Sequence, residues 1–177
     1  MKRVNKIMTK LIVGCFVGVS ATLLVLIISG TLGSIGTEFG SLKSSILTYS
    51  TSGIRTYEPI RNFMMSWIIM SILSMLFISN VIFVLSVLLK KKISCFFSSL
   101  LFLFACTWGC TKIVPIFSIV HLIPTTYLNC LQVLSGEIGY LTQNNDINAL
   151  TGIIVLLICN IVLTIINFSL MKMREVK

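Results

Sequence analysis

Four long stretches of this chain contain no Asp, Glu, Lys, Arg or His: Leu11 to Gly30, Phe63 to Leu89, Ile93 to Thr111 and Leu150 to Met171. Each is close to the roughly 20 residues that a helix needs to cross a hydrocarbon core about 30 Å thick. At that depth no water is present to satisfy backbone N–H and C=O groups, so each stretch is expected to close its hydrogen bonds internally as a helix. The expected fold is an all-α integral membrane protein, a single domain over residues 1–177 with four transmembrane helices in an antiparallel bundle.

Composition argues against a soluble globule. Apolar residues make up 56% and charged residues 11%, whereas charged residues usually form about a quarter of a soluble domain. The net charge of +9 does not read as a nucleic-acid surface, because the cations flank the apolar stretches. With the N-terminus in the cytoplasm, the inner segments hold Lys2, Arg3, Lys6, Lys10, Lys90, Lys91, Lys92, Lys172, Arg174 and Lys177, ten of the fourteen cations. The outer segments keep Lys43, Arg55, Arg61 and Lys112, with four of the five acids, Glu38, Glu58, Glu137 and Asp146. The positive-inside bias therefore places both termini in the cytoplasm and the protein in the cytoplasmic or plasma membrane. The first stretch has the alternative reading of a cleaved signal peptide, which would leave three spans; its length favours an uncleaved anchor.

The connection between the second and third stretches is Lys90 to Lys92, so those helices form a tight hairpin and the inner face is almost bare. The outer face carries residues 31–62 and 112–149, long enough for structure or recognition. In the first, Phe39, Leu42, Ile46 and Tyr49 recur at steps of three and four, which predicts an apolar stripe on a short helix. In the second, Leu131, Leu134, Ile138 and Leu141 repeat the pattern, although Gly136 and Gly139 weaken helix there. Both segments are expected to lie on the interface or to pack on each other as a cap. From Ile113 to Ile123, with Pro115 and Pro124 bracketing the segment, the chain is apolar but too short to cross. It holds the single histidine, His121, read as an interfacial hydrogen-bonding residue.

Of the six cysteines, Cys15, Cys95, Cys106 and Cys159 fall inside apolar stretches and read as packing residues. Cys110 and Cys130 are the pair that an oxidising exterior could bridge. Close helix packing is expected at Gly14, Gly18 and Thr22, a G-x-x-x-G step with a small extension, and at Ser98, Ala105 and Gly109. Asn80 and Asn160 sit at nearly equal depth in stretches that run the same way, so their amides are expected to meet. Alternatively, with Ser79 and Ser86 on a shared face, they line a conduit.

No Asp, Glu, His, Lys or Arg lies within the four stretches, which disfavours proton- or ion-coupled transport. Neither a nucleophile with its base, a phosphate-binding loop, nor a metal-ligand set can be assembled, so no enzyme activity, cofactor or metal is expected. Four spans with both ends inside resemble the claudin layout as a topology. Residues 31–62 contain neither Trp nor Cys, and no functional residue is carried over. The leading expectation is a non-enzymatic multi-pass protein that acts through protein contacts in the lipid bilayer, as accessory subunit of a membrane complex, homo-oligomer or organiser of cell-surface contacts. The rival readings are a small channel or facilitator and a bacterial immunity or toxin-resistance protein.

Overall fold

The computed structural model describes residues 45–50, 53–89, 92–112 and 119–175, with scattered positions between Thr9 and Ile28. The scattered positions are helical, and the large apolar ones among them, such as Phe16 and Ile27, are exposed. Gly14, Gly18, Thr22, Phe39 and Leu42 lie outside the described residues.

The described chain is mostly helical. Strands β1 (Ser45–Tyr49) and β2 (Arg55–Pro59) precede the helices α1 (Ile60–Leu88) and α2 (Lys92–Lys112). Two 3-10 turns, Val120–Leu122 and Pro124–Leu128, then lead to the short helices α3 (Cys130–Leu134) and α4 (Glu137–Thr142) and the long α5 (Ala149–Glu175). α1 and the Ala149–Leu170 part of α5 are long and apolar enough to cross a membrane, while the apolar run in α2, Ile93–Trp108, is shorter.

β1 and β2 correct the all-α expectation. They pair antiparallel, with Thr48 opposite Thr56 and Ile46 opposite Glu58. The segment is rich in Thr, Tyr and Ile, which suit a pleated surface. Its turn closes through Gly53, whose φ of +78° is open to glycine at little cost. The helical stripe expected through Ile46 and Tyr49 therefore does not form. In a strand, residues three apart face opposite sides, which leaves Tyr49 exposed and Ile46 half-buried.

Pro59 sets the start of α1. Its φ of −66° and ψ of 133° hold the chain extended, so the helix begins at Ile60 and takes in Arg61 and Asn62. α1 presents Trp67, Met70, Ser74, Phe77 and Val81 to the core at alternating steps of three and four. Facing them on α5 are Gly152, Leu156, Leu163 and Asn167. The helices run in the same direction, because the bonded pairs Leu73 with Asn160 and Asn80 with Asn167 share one offset, 87 residues. α2 turns back after Leu88 and touches α1 through Cys95, whose thiol lies 3.8 Å from the Ile82 carbonyl.

Residues 119–148 and the hairpin make a small head at the β2 end of α1. Its core is Val120, Tyr127, Cys130, Val133, Ile138 and Ile147, continuous with Met70 and Leu156 of the long helices. The stripe expected from Leu131 to Leu141 is broken in two. Gly136, at φ +76°, ends one helix and caps the next, so Ile138 is 2% exposed while Leu131 and Leu141 are 56% and 55% exposed. The break also docks the hairpin: the Tyr49 N–H donates to the Ser135 carbonyl at 2.8 Å. A Cβ on Gly136 would stand 1.9 Å from the Tyr49 carbonyl oxygen.

Candidate functional site

Two polar assemblies stand out, an asparagine cluster between α1 and α5 and a cavity where the hairpin meets the long helices. The first begins with Asn160. Its Nδ2 donates to the carbonyls of Leu156, 2.9 Å away on its own helix, and Leu73, 3.0 Å away on α1. Its Oδ1 accepts from Nδ2 of Asn80 at 3.0 Å. Asn80 and Asn160 are thus brought together. Asn167, which sequence reasoning missed, completes the set: its Nδ2 lies 3.2 Å from Oδ1 and 3.4 Å from the carbonyl of Asn80. The signal was present, because Asn167 follows Asn160 by two helical turns and so lies on the same face. Asn167 is 1% exposed, and its Oδ1 has no partner among the described residues.

The cluster turns inward and does not form a lining with the serines. Ser86 is exposed and bonds back to the Phe83 carbonyl of its own helix at 2.8 Å; Ser79 is half-buried. The small-residue face expected on α2 is not the one that meets α1. Ala105 is exposed and Ser98 half-buried, while Cys95 and Ser99, one turn apart, are the buried pair. The helix is rotated so that Cys95 meets α1. The surroundings of Gly109 and Cys110 lie outside what is described.

Cys130 is a free thiol, 6% exposed, and is not joined to Cys110. Packing explains it: the first turn of α3 faces α1, and the thiol donates to the Tyr127 carbonyl at 3.3 Å beside the Ser74 hydroxyl. The same carbonyl accepts from Ser74 Oγ at 3.3 Å, which ties the head to α1.

Tyr127 is the centre of the head. Fully buried, it donates its hydroxyl to the His121 carbonyl at 2.8 Å. Its ring fits where α5 has no side chain, since a Cβ on Gly152 would come within 2.5 Å of it. Burial, assisted by the nearby Asp146 carboxylate, pushes the phenol up to about 12 from 10.0. Nδ1 of His121 is 3.2 Å from the Asn144 amide nitrogen.

The cavity has a volume of about 430 Å³. Thr48, Thr56 and Glu58 form its hairpin wall, Asn62 and Ser66 face them from the first turns of α1, and Asn148 stands at the start of α5. Its apolar floor includes Phe63, Val133, Ile147 and Leu150. Alternation along β2 puts Thr56 and Glu58 on this side and Arg55 and Tyr57 on the other. The Thr48 and Thr56 hydroxyls are 2.8 Å apart, and Thr48 Oγ1 is 3.2 Å from the Thr56 carbonyl. Asn148 Oδ1 caps α5, accepting from the N–H and hydroxyl of Thr151 at 2.9 and 3.1 Å. Among the described residues, no three His, Cys, Asp or Glu side chains gather as a metal site requires.

Comparison with known protein families, curated proteins and solved structures finds no match.

Proposed function

We propose that the chain is a four-span membrane protein with both termini in the cytoplasm and the head outside, and that it acts without catalysis, by contact with other membrane proteins or with further copies of itself. The observation that carries this reading is how polarity is distributed. Asn80, Asn160 and Asn167 direct their amides at one another between α1 and α5. α2 instead exposes large apolar groups: Ile93, Phe97, Leu101, Phe104 and Trp108 are each more than half exposed. Polar groups consumed in helix pairing support a structural core, and an apolar aromatic helix supports seating against lipid or a neighbouring helix. The folded head supports a role on the outer surface, because a built surface of this kind exceeds what joining two helices requires.

A conduit draws less support. The residues that would line it satisfy one another or their own helix, and little polar capacity remains for a passing solute.

A photo-reactive residue placed at Phe97 or Phe104, with one at Phe77 as the buried control, tests the contact reading in native membranes. A discrete crosslinked species from the α2 positions, absent from the control, is expected. Lipid adducts alone, together with a lone monomer in mild detergent at native abundance, would overturn it.

A further inference from the structure

We infer that the cavity between the hairpin and the two long helices is a binding site for an alkylammonium or alkylguanidinium group, carried by a small amine or by a Lys or Arg side chain of a peptide. The site lies where the head meets the first turns of α1 and α5, and it does not depend on what α2 touches.

Charge is the first ground. The lining contains one carboxylate, Glu58, and no Lys, Arg or His. Among the described residues no basic side chain pairs with it, and the neighbouring Arg55 is turned to the opposite face of the hairpin by strand alternation. The second ground is the balance of donors and acceptors. In the arrangement that satisfies both contacts of the threonine pair, Thr48 donates to the Thr56 carbonyl and Thr56 donates to Thr48. Both hydroxyl protons are then used inside the hairpin, and Thr56 Oγ1, in the cavity lining, keeps the capacity to accept. Thr56 and Glu58, two residues apart on one strand face, thus present acceptors to a ligand rich in donors. Size is the third ground. About 430 Å³ lies near the lower end of ordinary ligand sites, roughly 300–1,000 Å³. Phe63, Ile147 and Leu150 offer apolar surface to a methylene stem.

The test is calorimetric titration of the full chain in mild detergent. N-acetyl-lysine amide and N-acetyl-arginine amide are the cationic probes, and N-acetyl-norleucine amide is the neutral one of similar shape. Saturable binding of a cationic probe is expected, with the neutral probe weaker by about tenfold or more, as loss of a charged hydrogen bond implies. Glu58→Gln should weaken the cationic probe by a similar factor, while Glu137→Gln, a carboxylate outside the lining, should leave it unchanged. Butylammonium separates the two sources: affinity equal to the lysine probe assigns a free amine, and weaker affinity assigns a peptide side chain. Failure of both cationic probes to saturate, equal binding of the neutral probe, or a Glu58→Gln variant that binds as well as the parent would each overturn the assignment. The wild-type comparison of charged and neutral probes decides it even if a variant does not fold.

Discussion

Asn160 engages a carbonyl on each of two helices and an amide on one, whereas Asn167 donates to Asn80 but leaves its own carbonyl oxygen buried without a partner among the described residues. Removing these residues should therefore have unequal effects. Asn160→Ala strands the Asn80 amide and removes the bond that ties α5 to the Leu73 carbonyl, and is expected to lower stability by about 1–2 kcal/mol. Asn167→Leu removes an unsatisfied oxygen but strands Oδ1 of Asn80, so its two effects oppose and the loss should be smaller than that of Asn160→Ala, about 1 kcal/mol or less. Reversible unfolding in detergent reads both, and equal losses would contradict the bonding scheme. The pairing of Asn80 with Asn160 was legible in the sequence because an amide in an apolar run has few partners available. Asn167 was less so, since its role depends on a partner whose depth is known only once the helices are in register. Tyr127 sets a pH limit. Its folded phenol titrates at about 12 and the reference value is 10.0, so the folded state keeps its proton where the unfolded chain has lost it. Stability from this group is complete below pH 10 and falls as pH rises from 10 to about 12. The melting temperature should drop over that interval in the parent and drop less in Tyr127→Phe.

Among the elements, the hairpin and the broken helix of the head depend on each other. Gly136 provides the positive φ that separates α3 from α4 and the space that admits the Tyr49 carbonyl. Gly136→Ala puts a methyl into that space and a side chain on left-handed backbone, a combination expected to cost about 1–3 kcal/mol. The damage should be local: amide exchange at Tyr49 and the hairpin should accelerate while that along α1 and α5 does not. Local spacing misled here. Steps of three and four through Ile46 and Tyr49 suit a helix, and only the pairing of Thr48 with Thr56 across the Gly53 turn makes the segment a strand. Whether Cys130 would be bridged or free was not legible for a related reason, since which way the first turn of α3 faces is decided by its packing on α1. The apolar runs of α1 and α5, by contrast, were readable from composition alone, because their meaning does not depend on a distant partner.

For the whole molecule, the proposed arrangement makes a prediction about access. A tag in the hairpin turn near Gly53 should be labelled in intact cells, and tags at residues 1 and 177 should be labelled only after permeabilisation. Termini on opposite sides would remove the four-span reading and leave the described fold untouched. Gly152→Val addresses the join between head and helices, because its side chain would enter the space held by the Tyr127 ring and the Met70 methyl. A fall in melting temperature equivalent to about 1–3 kcal/mol is expected, with the head and the helix pair lost in one transition. That ring also has a mechanical consequence. It lies against Gly152 of α5 beside the Met70 methyl of α1 and is bonded to the His121 carbonyl, so a tilt of the head would have to break into its contacts with both long rods.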